Sequence, residues 1–252
     1  MRLKMYRELA EWWQLLTPHE DYRDEAQVYI ELFEKHSNII MRNILELGSG
    51  GGNNSHYLRE KFTMTLVDLS EPMLEMSCQI NPDCEHLVGD MRTLDLGREF
   101  DGVLIADAVM YMTTETDLRS ALATAWKHLR PGGVVVVAPD VMFETFRPYT
   151  THSGRDGANR AFRYLEWAWD PDPNDTEYFV EFCYLMRDEH NQVRSEYERH
   201  TFGLFKYETW LRLFTDVGFD VESTRYVDKE SGKVESEIFV AVKDNRAIAN
   251  EE

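Results

Sequence analysis

Glu46, Gly48, Gly50 and Gly52 alternate with single intervening residues in the stretch ILELGSGGGNN, Ile44 to Asn54. Residues of these types at this spacing suit the binding of a ligand against bare backbone, because glycine brings no Cβ into the approach and accepts a left-handed turn. Ile44, Leu45 and Leu47 suit a buried strand before the turn, and NNSHYLREKF, residues 53–62, suits a helix after it, with Asn53, Asn54 or Ser55 as its cap. A strand, a glycine turn and a helix in that order present a helix N-terminus to a nucleotide-like ligand. Spacing narrows the choice of ligand. The dinucleotide fingerprint G-x-G-x-x-G has Asn53 in its third place, and the phosphate loop G-x-x-x-x-G-K-[ST] lacks its Lys-Ser or Lys-Thr.

What remains, E-x-G-x-G-x-G, resembles motif I of the S-adenosylmethionine (SAM) methyltransferases. SAM presents a methionyl end, a ribose diol, an adenine and a reactive sulfonium, and each finds candidates near the end of a successive strand. Gly48, Ser49, Gly50 and Gly52 can approach the methionyl and ribose portion. Asp68, twenty residues beyond Gly48, stands where an acid accepts from both ribose hydroxyls, with Leu69 and Met73 beside it; that geometry would serve NAD equally well. Asp90, in VGDMR, can accept from the adenine amine, with Met91 against the ring. Ala106 and Asp107, in IADAVMYM, can line the methionyl pocket, and Tyr111 can face the acceptor.

The elements that must hold these residues alternate. The stretch 1–42 reads as helical, broken at TPHEDY. NILEL, FTMTLVDLS, CEHLVGDM and FDGVLIADAVMYM read as four strands, with EPMLEMSCQI as a helix after the second, its Met73, Leu74, Ser77 and Cys78 expected to face inward. Leu118, Leu122, Trp126 and Leu129 fall on one face of a further helix, which Pro131-Gly132-Gly133 stops. VVVVAPD suits a fifth strand buried on both faces. After Asp140 come three antiparallel strands, AFRYLEWAW, EYFVEFCYLMRD and NQVRSEYERHTFGLF, in which Tyr178, Val180, Phe182, Tyr184 and Met186 form one face and Glu181 lies on the polar, solvated one. Tyr207, Trp210, Leu211, Phe214 and Val217 define a last helix ended by Gly218, followed by a hairpin around DKESGK and a frayed tail, DNRAIANEE. The chain thus divides into residues 1–140, helices and cofactor-binding core; 141–205, an inserted acceptor-binding β-sheet; and 206–252, a closing helix and hairpin.

Composition excludes several classes. The chain has 252 residues and a net charge of −19, which opposes binding to a phosphate backbone, so no nucleic-acid partner is expected. No apolar stretch approaches a membrane span, and MRLKMYRELAEWWQLL lacks a secretory cleavage site, so a cytoplasmic location is expected. Cys78, Cys84 and Cys183 form no C-x-x-C pair, and neither a disulfide framework nor a metal is expected.

Over most of its length the sequence resembles a Rossmann-like, class I SAM methyltransferase of the small-molecule type. More narrowly, it is similar to the bacterial nucleotide-sugar N,N-dimethyltransferases of macrolide biosynthesis. The stretches LAEWWQLL…DYRDEA, GDMRTLDLGREFD, LRPGGVVVV, FETF and HTFGLFKYETWLRLFTDVGFDVE carry that similarity. The resemblance implies a doubly wound α/β fold, a seven-stranded mostly parallel sheet with its last strand antiparallel, and a β insertion after strand five. It places Tyr22 near the methionyl end, Glu46 and Met91 by the cofactor, and Tyr6 and Tyr111 at the acceptor. It implies methyl transfer from SAM, leaving S-adenosylhomocysteine, to an amine of a small molecule; the assembly state stays open, a homodimer among the possibilities.

Trp167, Trp169, Tyr178 and Phe182 are candidates to line the acceptor pocket, and Arg147, Arg155, Arg160 and Arg163 to contact a diphosphate. VDKESGKVES replaces the Gly- and Arg-containing stretch that the sugar enzymes carry there. A hydroxyl acceptor would need a base, for which His152 and His200 are available. O-methylation, NAD-dependent oxidoreduction and a non-catalytic SAM-binding module stay open as alternatives.

Overall fold

The computed structural model describes residues 3–227 and 234–244. The first helical stretch is shorter than its periodicity suggests: turns over residues 4–9 lead through a 3-10 turn to α1 (Trp13–Leu16), and a second 3-10 turn leads to α2 (Arg23–His36). Met5, Leu9 and Trp12 are buried not against a helix but against Phe162, Tyr184 and Met186 of the inserted sheet, and that packing overrides helical propensity.

The core then alternates β1 (Asn43–Leu47), α3 (Ser55–Leu58), β2 (Thr63–Asp68), α4 (Glu71–Ile80), β3 (Glu85–Val88), β4 (Phe100–Ile105), α5 (Glu115–His128) and β5 (Leu129–Val137). Ser70 starts α4 by accepting from the Met73 amide, and Thr114 starts α5 by accepting from Asp117. Four expectations shift here. α3 covers only Ser55–Leu58 of the stretch 53–62, and its start carries no side-chain cap. The fourth strand ends at Ile105, and Asp107–Tyr111 coils into a 3-10 turn. α5 stops at His128, before Pro131, and Leu129 to Gly133 begin β5 with an irregular register against β4. Of the α4 residues expected to face inward, Ser77 is buried but Cys78 is exposed.

The inserted segment holds four strands, not three: β6 (Tyr149–Asp156), β7 (Ala161–Trp169), β8 (Glu177–Arg187) and β9 (Val193–Gly203), paired antiparallel in that order. β6 escapes a hydrophobic-pattern reading because each of its residues, in YTTHSGRD, is exposed. Helix α6 (Tyr207–Val217) ends at Gly218 in left-handed conformation, and β10 (Asp220–Val227) and β11 (Val234–Val242) follow. The expected DKESGK turn and residues 245–252 of the tail lie outside the described residues.

The main sheet has the order β10-β11-β5-β4-β1-β2-β3, and β11 runs antiparallel to both its neighbours. Both faces are covered, which explains the near-continuous apolar strands. Leu45, Leu47, Val103, Val135 and Val137 pack on one side with Leu118, Leu122 and Trp210 of α5 and α6. Ile44, Leu66, Leu104, Val134 and Val136 pack on the other with Tyr29, Ile30 and Phe33 of α2. No helix among the described residues is long and apolar enough to cross a membrane.

Candidate active site

The turn after β1 and the turn after β2 are laced together at one carboxylate. Gly48 and Ser49 donate their amides to the Val67 carbonyl at 2.7 and 3.0 Å. Asp68 then accepts from the Gly50 amide on Oδ2 and the Ser70 amide on Oδ1, each at 2.8 Å. Each oxygen keeps a further lone pair with which to accept from a ribose hydroxyl. Burial raises the Asp68 pKa, against the pull of these amides and that of Leu69. Leu69 itself is exposed beside the carboxylate, and Met73 is buried with its Cε 3.8 Å from where a Cβ on Gly50 would stand.

Gly48, Gly50 and Gly52 all have positive φ. At Gly48 (φ 79°) an added Cβ would also stand 2.3 Å from Ala108 Cβ and 2.8 Å from Met91 Cε. Left-handed strain and overpacking together cost about 2–5 kcal/mol, so Gly48→Ala is expected to lower Tm by roughly 5–15 °C. Calorimetry checks this, and an unchanged Tm would contradict the geometry.

Glu46 lies beneath the loop rather than on its surface. It is 3% exposed, accepts a short hydrogen bond from Ser55 Oγ, and burial pushes its pKa up to about 8. Ser49 Oγ and Asn54 Oδ1 at the two ends of the loop, and Trp13 Nε1 against Gly51, are buried without a hydrogen-bond partner among the described residues. Buried polar atoms rarely stay unsatisfied, and three of them beside bare glycine backbone fit a ligand with polar groups at its methionyl and ribose end. Asn53, which breaks the dinucleotide fingerprint, donates to the carbonyl and hydroxyl of Thr17 at 2.9 Å each and accepts from Gln14 at 3.3 Å. It thereby ties the N-terminal segment to the glycine loop. Tyr22 is fastened from the same segment, accepting from Thr17 Oγ1 at 2.9 Å.

Asp90 follows β3 and is already engaged: Arg92 lies 2.6 Å from its Oδ2, and that partner holds its carboxyl below the usual range. Met91 is buried beside Gly48. Ala106 is buried after β4, and Asp107 opens the 3-10 turn that Tyr111 closes. Asp107 neighbours Asp140, which lies three residues beyond the end of β5 and has no motif signal in the sequence. Both carboxyls reach water, yet protein surrounds them. That enclosure raises both pKa values, with the neighbouring acid adding to the rise at Asp107, and Asp140 reaches about 6.

Tyr6 and Tyr111 meet, with hydroxyls 2.8 Å apart and rings edge to face. Ser70 Oγ donates to the Tyr6 carbonyl, which fixes this N-terminal residue over the start of α4. The Tyr111 hydroxyl lies 2.8 Å from His200 Nδ1, and Phe182 and Phe202 pack against the imidazole. His200 Nε2 is 3.1 Å from Glu198 Oε1, close enough for an ion pair though not aligned for a linear hydrogen bond. Glu198 had no signal in the sequence beyond its i, i+2 spacing from His200, which puts both on one face of a strand.

Other candidates are held elsewhere. His152 is exposed on β6. Arg155, Arg160 and Arg163 pair with Asp21, Glu11 and Asp156, and Arg147 donates to the carbonyls of Glu144 and Phe146. Tyr178 and Phe182 lie on the same face of the inserted sheet as His200, whereas Trp167 and Trp169 alternate with buried Ala168 and stack on the opposite face. Glu181 shares that outer face but is not solvated: at 8% exposure it accepts from Trp169, Tyr197 and Arg199, whose side chains cover it.

A family model described as a methyltransferase domain matches residues 44–133. A dTDP-3-amino-3,4,6-trideoxy-alpha-D-glucopyranose N,N-dimethyltransferase of Streptomyces venezuelae is 30% identical over 81% of this chain and 85% of its own. A dTDP-3-amino-3,6-dideoxy-alpha-D-glucopyranose N,N-dimethyltransferase of Streptomyces fradiae is 29% identical over 85% of each. Among solved structures, S. venezuelae DesVI superposes with a TM-score of 0.78 at 28% identity, covering 88% of this chain and 92% of that one.

Proposed function

Because the chain belongs to the class I SAM-dependent methyltransferases and is similar to their dTDP-amino-sugar members, we propose that the small-molecule amine it methylates is the amino group of a deoxysugar, methylated twice. The observation that carries this reading is the Tyr6–Tyr111 hydroxyl pair, whose Tyr111 closes the turn after β4 that the acidic Asp107, neighbour of Asp140, opens. Two hydroxyls orient a nitrogen by hydrogen bonds, and an acidic floor favours an acceptor that arrives as an ammonium.

SAM, when bound, supplies an electrophilic methyl group on a sulfonium. The glycine loop and Asp68 would hold its methionyl and ribose portions, and Asp90 with Met91 its adenine. Tyr6 and Tyr111 would fix the lone pair of the amine toward that methyl, and positioning alone supplies much of the acceleration in such a displacement. Tyr178, Phe182 and Phe202 on the inner face of the insertion would exclude water from the acceptor.

The test pairs binding with product analysis. S-adenosylhomocysteine at a hundred times its Kd should stabilise the protein by about 2.7 kcal/mol, and NAD should not. A panel of 3-amino-deoxyhexoses, free and dTDP-linked, should then yield N-methyl and N,N-dimethyl products by mass spectrometry. Methyl groups found on oxygen would favour the O-methyltransferase alternative, and stabilisation by NAD alone would remove the SAM assignment.

A further inference from the structure

We propose that Glu198, His200, Tyr111 and Tyr6 form a proton relay that takes the proton from the acceptor nitrogen, with His200 as its terminal acceptor. The inference rests on the amine reading above. Its links are 2.8 Å from Tyr6 to Tyr111, 2.8 Å from Tyr111 to His200, and 3.1 Å from His200 to Glu198.

An amine that reaches the site as an ammonium has no lone pair, and each methyl transfer produces an ammonium again. A second transfer from the same bound acceptor therefore requires a proton to leave inside the site. Neither tyrosine can accept it as a phenolate at neutral pH, because burial raises both phenol pKa values. A relay needs no phenolate. As Tyr6 Oη takes the ammonium proton, its own hydroxyl proton passes to Tyr111 Oη, and the Tyr111 proton passes to His200 Nδ1. The amine is left neutral, both tyrosines are restored, and the charge rests on an imidazolium.

Glu198 places a carboxylate beside that end point. Burial opposes its charge, but His200 and the Lys4 and Met5 amides outweigh this and hold its carboxyl below the usual range. Oε2 accepts from Lys4 N at 2.6 Å, and Oε1 accepts from Met5 N at 3.2 Å and from the Tyr184 hydroxyl at 3.1 Å. The carboxylate at Nε2 selects the Nε2–H tautomer, which leaves Nδ1 free to accept from Tyr111. The other charged groups near the relay are Lys4, paired with Glu196; Glu166 on β7, which couples to His200; and Asp68 and Asp107, which act on Tyr6. His200 and Glu198, 3% and 7% exposed, work through the tyrosines and are positioning residues.

The experiment compares wild type, His200→Asn and Tyr111→Phe across pH, with the wild type's preferred amine and with its monomethyl product. For His200→Asn, kcat at pH 7 should fall about 100-fold, recover as pH rises through the amine's own pKa, and leave S-adenosylhomocysteine affinity unchanged. Monomethyl product should accumulate with both variants. A loss that is uniform across pH, or no loss, would overturn the relay while the amine reading stands; a wild type that methylates no amine would overturn both. One readout needs no turnover: nitrogen-15 histidine NMR should show His200 as the Nε2–H tautomer with a hydrogen-bonded Nδ1, and lose that bond in Tyr111→Phe. A proton on Nδ1 in the neutral ring would equally overturn the relay.

Discussion

Asp68→Ala is expected to weaken S-adenosylhomocysteine binding at least 100-fold. The proposed ribose contact places two hydroxyls on a carboxylate, and hydrogen bonds to a charged acceptor contribute about 1.5–3 kcal/mol each; losing both exceeds the 1.4 kcal/mol that corresponds to tenfold in affinity. The same carboxylate accepts from the Gly50 and Ser70 amides. Removing it also frees the glycine loop from the turn after β2, so the loss is geometric as well as direct. Asp68→Asn should fall between the two, because an amide nitrogen would face one of those N–H groups. Titration calorimetry on folded protein decides the matter: wild-type affinity in Asp68→Ala would remove the residue from the cofactor site.

The second large effect is on stability, and it depends on pH through Glu46. Its folded-state pKa is raised from 4.5 to about 8 by burial, so folding favours the protonated form. That stabilisation is complete below about pH 4.5 and is lost as pH rises to about 8, an amount on the order of 5 kcal/mol. Glu46→Gln keeps the shape and an acceptor for Ser55 Oγ but has no proton to lose. Denaturant unfolding should therefore show the wild type losing stability relative to the variant from pH 5 to pH 8, with the gap constant above that. Parallel curves would mean that the carboxyl is not held neutral beneath the loop.

Much of this arrangement was legible in the sequence because it rests on local patterns. Helix α4 and strand β7 have the bounds that EPMLEMSCQI and AFRYLEWAW suggest. Apolar runs such as ILEL and VVVV read as buried strands because both faces of the sheet are covered. What escaped was set by partners distant along the chain. Arg92 occupies Asp90, and Asn53 reaches back 36 residues to Thr17 rather than capping a helix. Glu181 looked solvated from its place in the alternation, but the long side chains of Arg199 and Tyr197 on the neighbouring strand bury it. His200 was visible as a histidine in the insertion; its place behind Tyr111 depends on the inserted sheet meeting the turn after β4, a contact that no local pattern encodes.

The position of β11 has a consequence for how the chain reaches its fold. Val137 of β5 pairs with Phe239 of β11, about a hundred residues later, and the whole inserted sheet lies between them in sequence. At a synthesis rate of 5–20 residues per second, β5 waits roughly 5–20 s for that partner. During the wait Val134 to Val137 present an unpaired, strongly β-forming edge, the kind of surface that recruits other chains. The inserted sheet can close by nearest-neighbour hairpins in the meantime, so it is expected to order before the sheet that it interrupts is complete.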